Sequence, residues 1–175
     1  MNETAGADFL TVVLGEFRKY KKMAEKVFDQ LEDQDLYHAP DEGSNSIAVI
    51  IKHMAGNMRS RWTNFLTTDG EKPDRHRDAE FVEHDMTREQ LIEVWNAGWQ
   101  CVFDAIEPLD ETQLLDTVYI RKEPNTVVRA ILRQLGHYAH HVGQIAYIGK
   151  HLRGDQWVSL SIPRGKSEEY LHGKP

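Results

Sequence analysis

The sequence predicts an all-α fold: a four-helix bundle with long crossover connections and an extended C-terminal tail. Three observations carry that reading. Apolar residues recur at three- and four-residue steps in four separate stretches, the mark of helices with one buried stripe. Two of the connections between them are long, which is the pattern of a bundle with crossovers. The last two dozen or so residues, from Gly154 onward, break the periodicity altogether.

The first stripe is Leu10, Val13, Phe17, Tyr20, Ala24, Val27 and Leu31. Residues 41–46 (DEGSNS) are turn-like and offer N-cap side chains. A second stripe follows as Ile47, Ile50, Met54, Met58, Trp62 and Phe65. Residues 67–85 are mostly polar and read as a long loop. Thr87 with Gln90 forms a capping-box pattern, and Leu91, Trp95, Gly98, Val102 and Ala105 continue as the third helix. A short helical turn is expected over residues 111–115. Val118, Tyr119 and Ile120 lead into a further connection, with Asn125 or Thr126 as the cap of a fourth helix. Its stripe is Val128, Ile131, Leu135, Tyr138, Val142 and Ile145, and Gly154 is the expected stop. The whole chain, 1–175, reads as one domain, with residues 8–153 as the bundle and 154–175 as a docked tail. Trp157, Leu160 and Ile162 give that tail apolar surface to set against its own bundle or a second subunit.

Composition narrows the function classes. Apolar residues make up 40% and charged residues 28% of the 175 positions, an ordinary balance for a globular chain. The net charge of −7 and the lack of a Lys/Arg-rich run argue against nucleic acid. No apolar run reaches the roughly 18 residues that a membrane span needs. The first residues lack a signal-peptide pattern. A single cysteine, Cys101, rules out an intrachain disulfide and a cysteine-based zinc site. A cytoplasmic setting fits these features.

The chemistry concentrates in HYAHHVGQ, residues 137–144. His137 and His141 lie four apart and share a helical face, near the edge of the apolar arc, with Gln134 and Gln144 on the same strip. His140 points elsewhere and is expected in solvent. Two imidazoles on one helix can hold a borderline ion such as zinc, but two ligands are rarely enough. His53 is the best third donor: it sits mid-helix beside Ile50 and Met54, and an imidazole there is too short to reach water easily. His38, His76 and His84 fall in connections, His151 near a helix end and His172 near the terminus. The competing reading of His137 and His141 is a polar pair bonded to Gln134, Gln144 or water. No HExxH motif, di-iron glutamate set, phosphate-binding glycine loop or nucleophile elbow is present.

Further residues carry paired readings. Asn57, one turn after His53, either lines a pocket or bonds across helices. Trp62, Trp95 and Trp99 either wall a cavity or fill the core. Cys101 is expected as a buried, inert thiol, with a nucleophile as the other reading. Arg129, Arg133, Arg164 and Lys166 either meet an anion or lie in solvent.

Four segments together resemble the DinB-like superfamily of metal-binding helical bundles, and within it a branch of uncharacterised bacterial proteins. They are NSIAVIIKHMAGNMRSRW from Asn45, DGEK from Asp69, HYAHHVGQ from His137 and SLSIPRGKSEE from Ser159. Relatives often carry arginine after the last histidine, where this chain has Val142. The resemblance implies a bundle with crossovers, one histidine ligand from the second helix and two from the fourth: His53, His137 and His141. It implies a divalent ion, Zn2+ or Ni2+ first and iron or manganese as alternatives, and a homodimer. The expected function is a metal-dependent enzyme, either a transferase using a low-molecular-weight thiol or a hydrolase of a small-molecule substrate. The alternative is a non-catalytic metal- or ligand-binding module, or a dimeric scaffold in a stress response. No catalytic residue outside the ligand set is identified.

Overall fold

The structure, a computed structural model, describes residues 4–82 and 86–172; His84 therefore lies outside the described residues. The protein is mostly helical, with five helices and one small two-stranded sheet among the described residues.

Helix α1 spans Ala5–Phe28, and the Thr4 hydroxyl accepts the Ala7 N–H at its start. It buries Leu10, Val13, Phe17, Ala24, Val27 and Phe28. Leu31 of the expected stripe is also buried, but beyond the helix end. Helix α2 spans Ile47–Trp62, with Ser46 as its cap. Thirteen of its 16 residues are buried, so α2 is central rather than amphipathic. Any buried polar residue on it must find a partner inside the protein. Helix α3, Arg88–Ile106, opens with the Thr87–Gln90 capping box in full. Helix α4, Val127–Arg153, is capped by Thr126 and stopped at Gly154, whose φ of +50° favours glycine. A short helix α5, Ser167–His172, lies in the tail.

Helix α2 packs mainly on α3, and α1 on α4, with further contact between α2 and α4. Gly98 makes the first pairing close: a Cβ there would come within 2.9 Å of the Ala55 Cα. All four long helices send a ring to one cluster. Phe17 lies 6.3 Å from Trp62, 6.2 Å from Trp99 and 5.8 Å from Tyr138, centroid to centroid, at tilted or edge-on angles. Trp62, Trp95 and Trp99 are therefore core residues. Such pairs add about 0.5–1.5 kcal/mol each beyond area burial.

Two expectations need correction. The fold is not purely helical, because strands β1 (Thr117–Ile120) and β2 (Glu123–Thr126) form an antiparallel hairpin before α4. Its two-residue turn, Arg121 and Lys122, has φ of +56° and +65°, a left-handed geometry usually given to Asn-Gly. The turn is held from a distance: the Asp69 carboxylate accepts the N–H groups of Arg121 at 2.9 Å and Lys122 at 2.6 Å. No local turn signal marks the hairpin because its support comes from another segment. The expected loop over residues 67–85 is more than loop in its described part, 67–82. A 3-10 turn, Arg77–Phe81, packs on α2. The expected turn at Glu111–Leu115 is present.

The tail meets its own chain. Gln30 pairs with the Val158 backbone, accepting its N–H at 2.8 Å and donating to its carbonyl at 3.2 Å. Trp157 and Leu160 pack against the core, whereas Ile162 is exposed. No helix among the described residues is long and apolar enough to cross a membrane.

Candidate metal centre

The structure brings His53, His137 and His141 together, and one ligand atom from each lies within 4.8 Å of the other two. The His137 Nε2 is 3.3 Å from the His53 Nε2 and 3.1 Å from the His141 Nε2. Tetrahedral ligation at about 2.1 Å places donor nitrogens about 3.4 Å apart, and right-angled ligation about 3.0 Å apart. These two spacings fall between those values, and the third pair, His53 and His141, lies within 4.8 Å. His140 is exposed, as expected from its face of α4.

Two of the rings have their tautomers set from behind. The His53 Nδ1 lies 3.0 Å from the Glu80 Oε2. A carboxylate there only accepts, so the His53 proton sits on Nδ1 and the Nε2 lone pair faces the other rings. The His141 Nδ1 lies 2.7 Å from the Gln144 Oε1, which fixes the same tautomer. Three Nε2 atoms facing one point cannot all be satisfied by one another: at most one proton, on His137, can be shared among them. With that proton on Nε2, the His137 Nδ1 is an acceptor without a donor; with it on Nδ1, the three lone pairs oppose each other. The Nδ1 of His137 is buried and has no hydrogen-bond partner. A cation at the convergence point removes the lone-pair conflict of the second arrangement, in which His137 carries its proton on Nδ1.

Electrostatics favour neutral rings. Burial pushes His137 down to about 3, aided by His141, His53, Arg61 and Arg75. Burial likewise takes His141 down to about 4, against the opposing hydrogen bond to Gln144. At neutral pH both keep a lone pair for a metal rather than a proton.

Behind His53 stands a network that the sequence did not reveal. Arg75 grips Glu80 through two hydrogen bonds, Nε to Oε1 and Nη2 to Oε2, both 2.8 Å. The Arg75 and Glu80 side chains are only 4% and 10% exposed. Burial raises the Glu80 carboxyl, but hydrogen bonds from His53 and Arg75 outweigh it and hold the group below the usual carboxylate range. Gly56 leaves room for this carboxylate, since a Cβ there would strike its Oε1. Phe81 covers the other face of His53, with ring centroids 4.8 Å apart. Glu71 ties the same region together by pairing with Arg61, Arg75 and Arg121. The segment DGEK thus has a structural role: Asp69 holds the hairpin turn and Glu71 links three arginines.

Asn57 meets both of its readings. It lines the cavity beside the histidines and accepts a hydrogen bond from the Tyr138 hydroxyl at 3.2 Å. That hydroxyl accepts the Trp62 indole N–H at 2.9 Å. Burial raises the Tyr138 phenol far above its ordinary value, so it remains a neutral donor. Cys101 is a free, half-buried thiol away from the histidines. The cavity that touches His53 and His137 is small, about 150 Å³. Three larger ones, about 420, 490 and 380 Å³, are not lined by His53, His137 or His141. Ligand geometry, not cavity size, marks the site.

A family model described as a protein of unknown function, DUF1572, matches residues 4–166. No curated protein matches the chain.

Proposed function

The chain belongs to the DUF1572 family, and we propose that it is a metal-dependent enzyme on a DinB-like four-helix bundle, its divalent ion held by His53, His137 and His141. One observation carries the reading. Two Nε2 separations, His53 to His137 and His137 to His141, match ligand spacing, the three donor atoms lie within 4.8 Å of one another, and two of the rings have their Nδ1–H groups anchored by Glu80 and Gln144. Anchored outer nitrogens are a regular companion of metal-ligating histidines. All-imidazole donors suit Zn2+ or Ni2+ first.

The donor count favours catalysis over a closed structural centre. Structural zinc takes four protein ligands, whereas catalytic zinc takes three. Among the described residues, the group that can hold an ion contains only these three side chains. Glu80 is already engaged by His53 and Arg75. A divalent ion in this place supplies a Lewis acid that favours the deprotonated form of a thiol or of water. The protein's own part is orientation. Arg75 fixes Glu80, Glu80 keeps the His53 proton on Nδ1, and Gln144 does the same for His141. The reaction classes this supports are transfer of a thiol to an electrophilic carbon, and hydrolysis.

The first test is elemental analysis of protein made without an affinity tag, set beside His137→Ala. Metal in the parent and none in the variant is expected; equal content rejects the site. Thiols paired with electrophilic acceptors, and ester and amide panels, then separate the two chemistries. A loaded protein inert toward both sets rejects the enzyme in favour of a binding module. A homodimer is part of this reading, supported by the exposed Val158, Ile162, Tyr170 and Leu171 of the tail; a monomeric mass in sedimentation rejects it.

A further inference from the structure

The geometry points to an oxyanion-binding pocket beside the three histidines, built to seat the carboxylate or phosphate group of a small substrate. This deepens the proposed function and rests on it for where the reacting end of that substrate lies. The cavity of about 150 Å³ that touches His53 and His137 is lined by Arg61, Arg75, Arg77, Arg121 and Arg133. These come from α2, the segment after it, the hairpin turn and α4. A chain of net charge −7 thus gathers five guanidinium groups around one small space.

Neutralisation within the protein is incomplete. Glu71 pairs with Arg61, Arg75 and Arg121, and Glu80 pairs with Arg75. Five guanidinium groups against these two carboxylates leave an excess of three positive charges. Among the described residues neither Arg77 nor Arg133 has an ion-pair partner; Arg77 lies over the Phe81 ring at 6.0 Å. Like charges repel unless an anion gathers them, and planar guanidinium groups match carboxylate and phosphate oxygens. The wall is also unsatisfied in other ways. Arg61 Nε and Gln134 Oε1 are buried without partners, and both residues line the cavity at 5% and 3% exposure. Orphaned buried polar atoms are uncommon, and these two belong to residues that line the same cavity. Arg133 stands one helical turn before His137. An anion held by Arg133 and Arg77 therefore lies within a substrate's length of the histidines.

The test titrates the full-length protein, metal-free and zinc-loaded, with inorganic phosphate and with acetate by calorimetry. Arg77→Gln and Arg133→Gln are the variants, because neither breaks an ion pair. Arg129→Gln is the control, an exposed residue of the same helix outside the cavity. Losing one charge-assisted hydrogen bond is expected to weaken binding about tenfold in each variant, with Arg129→Gln and zinc content unchanged. A stronger response to phosphate or to acetate then assigns the headgroup. Binding that appears only with zinc and ignores both variants overturns the inference while leaving the metal reading intact. Arginine-dependent binding in a protein that takes up no zinc upholds the pocket and rejects the metal reading. No saturable binding of either anion overturns the pocket.

Discussion

Glu80→Gln is the most informative single change at the candidate metal centre. Glu80 Oε2 accepts from His53 Nδ1 at 3.0 Å and from Arg75 at 2.8 Å, while Oε1 accepts from Arg75 at 2.8 Å. Glutamine has one oxygen for these three donors. With that oxygen facing His53, its NH2 group opposes the Arg75 Nε–H. With the amide reversed, the NH2 group opposes His53 Nδ1–H and drives the proton to Nε2, where it blocks the lone pair. Loss of such an outer partner typically lowers metal affinity 10- to 100-fold, or about 1.4–2.7 kcal/mol. The fold is expected to survive, because Arg75 keeps Glu71 at 3.3 Å. Zinc affinity is read by competition with a chromophoric chelator at neutral pH for the parent, Glu80→Gln, His53→Ala and the double variant. Since Glu80 acts through His53, its substitution should add little once His53 is gone. An affinity within twofold of the parent, or an undiminished loss in the His53→Ala background, refutes the reasoning.

Gly56→Ala should act on the same contact from the other side. The new Cβ would lie 2.7 Å from the Glu80 Cδ, so the flexible carboxylate moves and His53 loses its partner. Helix propensity alone favours the change by about 1 kcal/mol; the expected result is a near-parental melting temperature with weaker zinc binding, and unchanged affinity would count against it. Tyr138→Phe leaves the Trp62 N–H and the Asn57 Oδ1 without their shared partner. Urea unfolding should show a loss of about 1–3 kcal/mol with full zinc content, and a loss of zinc would reassign Tyr138 to the site. The metal-free protein should weaken in mild acid. Since His137 and His141 are depressed to about 3 and 4 when folded, the unfolded chain takes up protons first as pH falls below about 6.5. Stability is therefore present above that value and declines toward pH 4. Urea midpoints at pH 7.5 and 5 should fall for the parent and fall less for His137→Gln; a flat parental profile contradicts the assignment.

The legible parts of this protein are those that short-range interactions specify. Each long helix follows from apolar spacing, and Ser46, Thr87, Thr126 and Gly154 mark helix ends because a cap acts within about one turn. The hairpin escaped notice since its left-handed turn is held by Asp69, more than fifty residues earlier in the chain. Glu80 and Arg75 were hidden in a polar stretch whose charges look alike until one pair is buried against α2. The arginine-lined cavity was illegible for the same reason: its members are scattered from Arg61 to Arg133 and only Arg133 drew attention.

By itself the sequence determined the helices, their caps and the placing of His137 and His141 on one face, because a helical repeat puts residues four apart side by side wherever the helix goes. Only the tertiary structure decided that His53, 84 residues from His137, meets that ring at 3.3 Å, and that Glu80, 27 residues from His53, stands behind it. Those separations are closed by packing a nearly all-buried α2 against its neighbours. Packing depends on the shapes of every surface it joins, and no local spacing encodes that.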